Sequence, residues 1–211
     1  MTVYFSADHH FGHGNILSYE HSARRNELGR KFKSVEEMNS YLIRRWNERI
    51  KPGDTIYYLG DLAYKSDVAK VLPLLHGRKV LIVGNHDPYF KDVQSGNMNK
   101  ALQAARNDGF AGLHTSFNLD IHGIGTVLLS HFPYWPQDES GLSKHDLRFS
   151  HVRPKPARER LLLHGHVHSK WKICQERGRV MINVGVDTWK LMPVSESEVV
   201  ALFRNFTAAA A

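Results

Sequence analysis

The chain of 211 residues has one cysteine, Cys174, so an internal disulfide is excluded. A lone thiol suits a reducing compartment, and a cytoplasmic setting is expected. Long hydrophobic runs are missing too. No apolar stretch approaches the ~20 residues of a membrane span, and the N-terminus lacks a basic-then-apolar signal pattern, so no membrane partner is expected. No internal repeat and no linker divides the sequence. Residues 1–207 are expected to form one domain, with the alanines at 208–211 a vector remnant or disordered tail. Acidic residues are in deficit: 21 Asp and Glu against 28 Lys and Arg give a net charge of +7, which favours an anionic ligand such as phosphate or nucleic acid. Histidine is abundant, with 14 copies, and where they fall matters more than how many there are.

The stretch Leu81-Ile82-Val83-Gly84-Asn85-His86-Asp87 organises the rest. Val80 to Val83 reads as a buried strand that stops at a glycine, and a polar triplet follows at its carboxyl end. In open α/β sheets ligands bind at that end. Asn, His and Asp are costly to bury together without a metal, a phosphate or a tight hydrogen-bond network. Other strand ends repeat the pattern. Thr2 to Ser6 ends in Asp8-His9-His10-Phe11-Gly12-His13, where the Asp-x-His spacing favours His10 over His9 as the inward residue. Thr55 to Leu59 ends in Gly60-Asp61, Thr126 to Leu129 ends near His131, and Arg160 to Leu163 ends in His164-Gly165-His166-Val167-His168.

Between these blocks, residues 14–33 read as a mobile basic loop in which Arg24, Arg25, Arg30, Lys31 and Lys33 form a solvated face. Ser34 with Glu37 is a capping box, and Val35, Met38, Leu42 and Trp46 form a helical apolar stripe. Further helices are expected at about 67–75 and 97–108. Strands are expected at 114–121 and around 171–175, 180–184 and 198–203. The stretch 134–159, with Lys144, His145, Arg148, His151, Arg153, Lys155 and Arg158, reads as a long basic loop of functional character.

Five strand ends thus carry Asp8-x-His10, Gly60-Asp61, Gly84-Asn85-His86-Asp87, His131 and Gly165-His166-x-His168. Each alone is an ordinary turn; the ordered set is informative. Imidazole, carboxylate and amide oxygen together suit Mn, Fe, Co or Zn, and the lack of cysteine ligands argues against a purely structural zinc site.

From Asp8 to His168 these blocks resemble the motifs of the calcineurin-like metallophosphoesterase superfamily. The resemblance implies an α/β fold, a four-layer α/β/β/α sandwich with two mixed sheets and a dinuclear metal site at the strand ends. It implies that Asp8, His10 and His168 hold one metal and Asn85, His131 and His166 the other, with Asp61 bridging. His86 would contact the phosphate and leaving group, and Asp87 would orient it. The implied cofactors are two divalent transition-metal ions, manganese first, then Fe, Co, Ni or Zn. The implied reaction is hydrolysis of phosphodiesters or phosphomonoesters by a metal-bridging hydroxide, with a nucleotide or nucleic acid among the expected substrates. Two features depart from the commonest pattern: no second Asp follows Gly60-Asp61, and His13 in Phe11-Gly12-His13-Gly14-Asn15-Ile16 resembles a small-protein branch. The alternatives are a non-catalytic metal-bearing scaffold or a nucleic-acid-binding module on the same fold.

Overall fold

A computed structural model describes residues 1–64, 67–136, 149–176 and 178–209. The first sheet has the order β10-β1-β2-β3-β4, built from Val194–Ser195, Val3–Ser6, Thr55–Tyr58, Arg78–Ile82 and Gly112–His114. Strands β1 to β4 run parallel, and β10 pairs antiparallel to β1. The second sheet has the order β5-β6-β7-β9-β8, built from Ser116–Ile121, Gly125–Ser130, Leu161–His164, Arg179–Asn183 and Ile173–Glu176. Here β6, β7 and β9 are parallel and the two edge strands antiparallel. The fold is therefore α/β with two mixed sheets.

Period-two alternation explains the layering. In β2 and β3, Ile56, Tyr58 and Leu81 face helices on one side, joining Met38, Leu42 and Trp46 of α2 (Val35–Arg49). α3 (Val68–Val71) and α5 (Met98–Asp108) add Val68, Val71, Ala101 and Ala105 to this cluster. On the opposite side Phe5 and Ile82 meet Val127, Leu129, Leu161, Leu163 and Ile182 of the second sheet, so a second core lies between the sheets. Leu128, Leu162 and Met181 point outward from the second sheet and pack with Tyr134 and Trp171. Two short helices, α1 (Ile16–Tyr19) and α4 (Phe90–Gln94), flank the strand ends.

Several expectations need correction. The stretch at 198–203 is helical: α6 (Glu196–Ala209) inserts Val199 and Phe203 into the inter-sheet core. It also runs past residue 207, so Ala208 and Ala209 continue the helix. The expected strand at 114–121 is two strands in different sheets, with the chain crossing over at Thr115. The stretch 14–33 is not wholly a solvated loop, because it contains α1 and a buried Arg24. Of the basic loop at 134–159, positions 137–148, including Lys144, His145 and Arg148, lie outside the described residues.

The carboxyl ends of both parallel sets meet at one edge. A bridge between Ala7 and Gly185 joins the end of β1 to the end of β9, and the Val186 amide donates to the Ala7 carbonyl at 3.1 Å. Every motif identified by spacing leaves its strand along this seam.

Candidate metal centre

The turns at the seam hold unusual backbone. Among the described residues seven non-glycine positions have positive φ, and five of them are Asp8, His10, Asp61, His166 and His168. Left-handed backbone is strained for such residues and persists where surrounding structure enforces it, most often at functional sites. Gly60 has a positive φ, and a Cβ there would lie 2.6 Å from the Gly84 Cα and 2.6 Å from His131 Nδ1. The glycine lets the ends of β2 and β3 approach each other beneath the His131 ring.

The side chains converge as two overlapping groups. Asp8, His10 and His168 present ligand-type atoms within 4.8 Å of one another, and so do Asp8, Asp61 and His131. Asp61 Oδ2 lies between the two histidines, 3.7 Å from His10 Nε2 and 3.6 Å from His131 Nε2. Asn85 Oδ1 is 3.1 Å from the same His131 nitrogen. The His166 ring packs at 5.2 Å from His131, and the His166 amide donates to Asp8 Oδ2 at 2.9 Å. His10 and His168 stack at 5.1 Å, and the exposed His86 ring stands edge-on to His10 at 5.3 Å.

Two of the histidines, His131 and His168, are tethered by one nitrogen, leaving the other toward the centre. His131 Nδ1 donates to the Leu59 carbonyl at 2.7 Å, and His168 Nδ1 to Asp187 at 2.8 Å. Such tethers fix the tautomer and aim the free nitrogen, as around bound metals. His10 Nε2 is buried with no hydrogen-bond partner, which is costly for a polar atom unless a cation occupies the space before it. The donor set therefore fits divalent ions.

Electrostatics agree. Burial, opposed by His168 and reinforced by Asp61, lifts the Asp8 carboxyl well above its usual range. Burial and neighbouring imidazoles hold His10 and His166 well below theirs, and burial also lowers His131. Burial works against charge on His168, yet its bond to Asp187 and the nearby Asp8 carry it up to about 9. The neutral imidazoles of His10, His131 and His166 are competent ligands, His168 would give up its proton to a bound ion, and crowded carboxylates need positive charge between them.

Two supporting groups escaped the sequence reading. Arg24, assigned above to a solvated face, is 1% exposed. It donates to the backbone carbonyls of Asp8 at 2.6 Å and His9 at 2.7 Å, and to Asp187 at 2.9 Å. Burial opposes the charge on Asp187, and Arg24 with His168 overcomes it and holds that carboxyl below its usual range. The signal for Asp187 was available: Val184-Gly185-Val186-Asp187 is another apolar run, glycine and aspartate at a strand end. Asp87 takes a different place from the one implied. Its carboxylate accepts from the backbone amides of Gly84 at 2.8 Å and of Asp61 and Leu62 at 3.2 Å each, so it ties two loops together and makes no bond to the His86 ring. His86 is placed through its amide, which donates to Asp61 Oδ1 at 2.8 Å.

A two-sheet α/β protein with a buried histidine and carboxylate centre at its strand ends is the class that fold and site define. The chain belongs to the calcineurin-like phosphoesterase superfamily, whose domain matches residues 1–204. It is 28% identical to the Gene 66 protein of Mycobacterium phage L5 across 96% of this chain and 94% of that one. A stretch of 91 residues, 41% of the chain, is 41% identical to an uncharacterised protein of Methanocaldococcus jannaschii, of which it spans 47%. A crystal structure of an Aquifex aeolicus protein of unknown function superposes with a TM-score of 0.61 at 26% identity, covering 95% of this chain and 98% of that one. No described helix is long and apolar enough to cross a membrane.

Proposed function

We propose that the chain hydrolyses phosphodiesters or phosphomonoesters with two divalent transition-metal ions, manganese first among the candidates. Asp8, His10 and His168 would hold one ion, Asn85, His131 and His166 the other, and Asp61 would lie between them. The observation that carries this reading is the near-equal approach of Asp61 Oδ2 to His10 and His131, at 3.7 and 3.6 Å. When bound, the ions would supply Lewis-acid charge for the phosphoryl oxygens and acidify an attacking water.

The chain's own groups do the rest. Asp61 offsets the repulsion of two close cations, which needs an anion between them. His86 is exposed at the rim beside His10, where its ring can donate to a leaving oxygen whose charge develops only in the transition state. Asp87 holds the Asp61 and Gly84 turns in register, so His86 and Asp61 keep their spacing.

The test is turnover of a panel of mono- and diesters with manganese, iron, cobalt, nickel, zinc and magnesium, with bound metal counted by elemental analysis. Turnover that tracks two bound ions per chain supports the enzyme. Full metal occupancy without turnover of any ester would leave a scaffold.

A further inference from the structure

One histidine of the first motif has no part in the metal centre described above. His13 ends the run Asp8-His9-His10-Phe11-Gly12-His13, and its backbone is fixed from several sides. The Phe11 amide donates to the Leu62 carbonyl at 2.9 Å and the Tyr64 amide to the Phe11 carbonyl at 2.8 Å, which laces this segment to the Asp61 loop. Gly12 then turns the chain with a φ of 78°, a conformation that glycine takes without strain, and its amide donates to Asn39 Oδ1 at 3.2 Å. The His13 amide closes the turn on the His10 carbonyl at 3.0 Å.

The ring so placed stands at the mouth of the centre. It lies 5.7 Å from that of buried His10 and 6.4 Å from that of Tyr19, which is 68% exposed. His86 flanks the same His10 ring at 5.3 Å, so two imidazoles outside the ligand set border it. His13 Nδ1 is buried without a hydrogen-bond partner, and Nε2 is the nitrogen left open. A buried N–H without an acceptor is rarer than an unfilled acceptor, so the proton belongs on Nε2. The open nitrogen is then a donor, and a phosphoryl oxygen is an acceptor.

We propose that His13 Nε2 donates to a non-bridging oxygen of the phosphoryl group, while His86 serves the leaving oxygen. This rests on the phosphoesterase reading above and adds a second substrate-contacting residue to it. The contact is to the part that every phosphoester shares, so it acts on all substrates alike.

The experiment is calorimetric titration of the manganese-loaded full chain with inorganic phosphate, with bound metal counted and ester turnover measured alongside. His13→Ala should weaken phosphate binding roughly 10–150-fold, the range for one hydrogen bond to a charged group, with metal content unchanged. His13→Gln, whose amide reaches the Nε2 position, should recover most of that loss. Turnover of His13→Ala should fall by one common factor for alkoxide and nitrophenolate esters. Unchanged phosphate affinity in His13→Ala would overturn the proposal, and so would a loss that His13→Gln does not repair. Loss of bound metal would put His13 in the ligand set and overturn it too. A drop graded by leaving-group acidity would place His13 on the leaving oxygen and refute it as well. If the unaltered protein shows neither manganese-dependent phosphate binding nor turnover of any ester, the phosphoesterase reading falls and this proposal with it.

Discussion

At the scale of single residues, the centre is held by groups with no ligand role. Arg24 and Asp187 are paired at 2.9 Å with side chains fully buried, and Asp187 continues to His168. Replacing a metal-bound histidine's outer partner lowers metal affinity by ~10–100-fold. Asp187→Asn should show that loss in a competition titration against a chromophoric chelator; unchanged affinity would reduce the pair to a packing element. Arg24→Met leaves the buried Asp187 with His168 as its one remaining charged partner and removes the bonds to the Asp8 and His9 carbonyls, so it should destabilise the fold by about 3 kcal/mol in urea denaturation. His86→Ala separates chemistry from binding. Its turnover should drop by ~10²–10⁴-fold with metal content intact, most for alkoxide leaving groups and least for nitrophenolate. A drop equal for every leaving group would make His86 a phosphate-positioning residue instead.

At the scale of elements, local signals were legible where chain neighbours decide the outcome. The capping box of α2 is present: Ser34 Oγ accepts from the Glu37 amide at 3.2 Å, though the Glu37 carboxylate reaches the Lys33 amide, one residue before the cap. The strand ends also fell where glycine and apolar runs placed them. α6 was misread because Val199, Val200 and Phe203 have strand-forming character, yet Val199 and Phe203 stand four apart and share the buried face. Its start was written in Ser195-Glu196-Ser197-Glu198. The Glu198 amide donates to Ser195 Oγ at 3.3 Å, and Glu198 accepts from the Ser195 amide at 2.9 Å. Ser195→Ala should therefore cost ~1 kcal/mol in urea denaturation and leave metal affinity untouched. A shift in metal affinity would mean that α6 also positions the centre. Arg24 was illegible for a different reason: it meets Asp187 across 163 positions, and no local pattern encodes such a pairing.

At the scale of the whole molecule, both sheets deliver their strand ends to one seam and crowd it with like groups. Asp8, Asp61, Asp87 and Asp187 are all buried or have buried side chains there, and mutual repulsion adds to the burial penalty on Asp8 and Asp87. Without divalent ions only Arg24, His168 and backbone amides offset this crowding. Ions that bind the folded centre and not the open chain must then stabilise the protein, by about 2.7 kcal/mol at 100 times the dissociation constant for a single site. For a chain of this size each kcal/mol moves the melting temperature by ~2–4 °C, so saturating manganese should raise Tm by ~5–10 °C over a chelator-treated sample. Asp61→Ala supplies the control. It lacks the anion between the two metal sites, so it should keep a folded Tm in chelator, lose most of the manganese-induced rise and lose nearly all turnover. A rise of the same size in wild type and Asp61→Ala would show that the stabilising ions bind elsewhere, and the seam would no longer qualify as the metal centre.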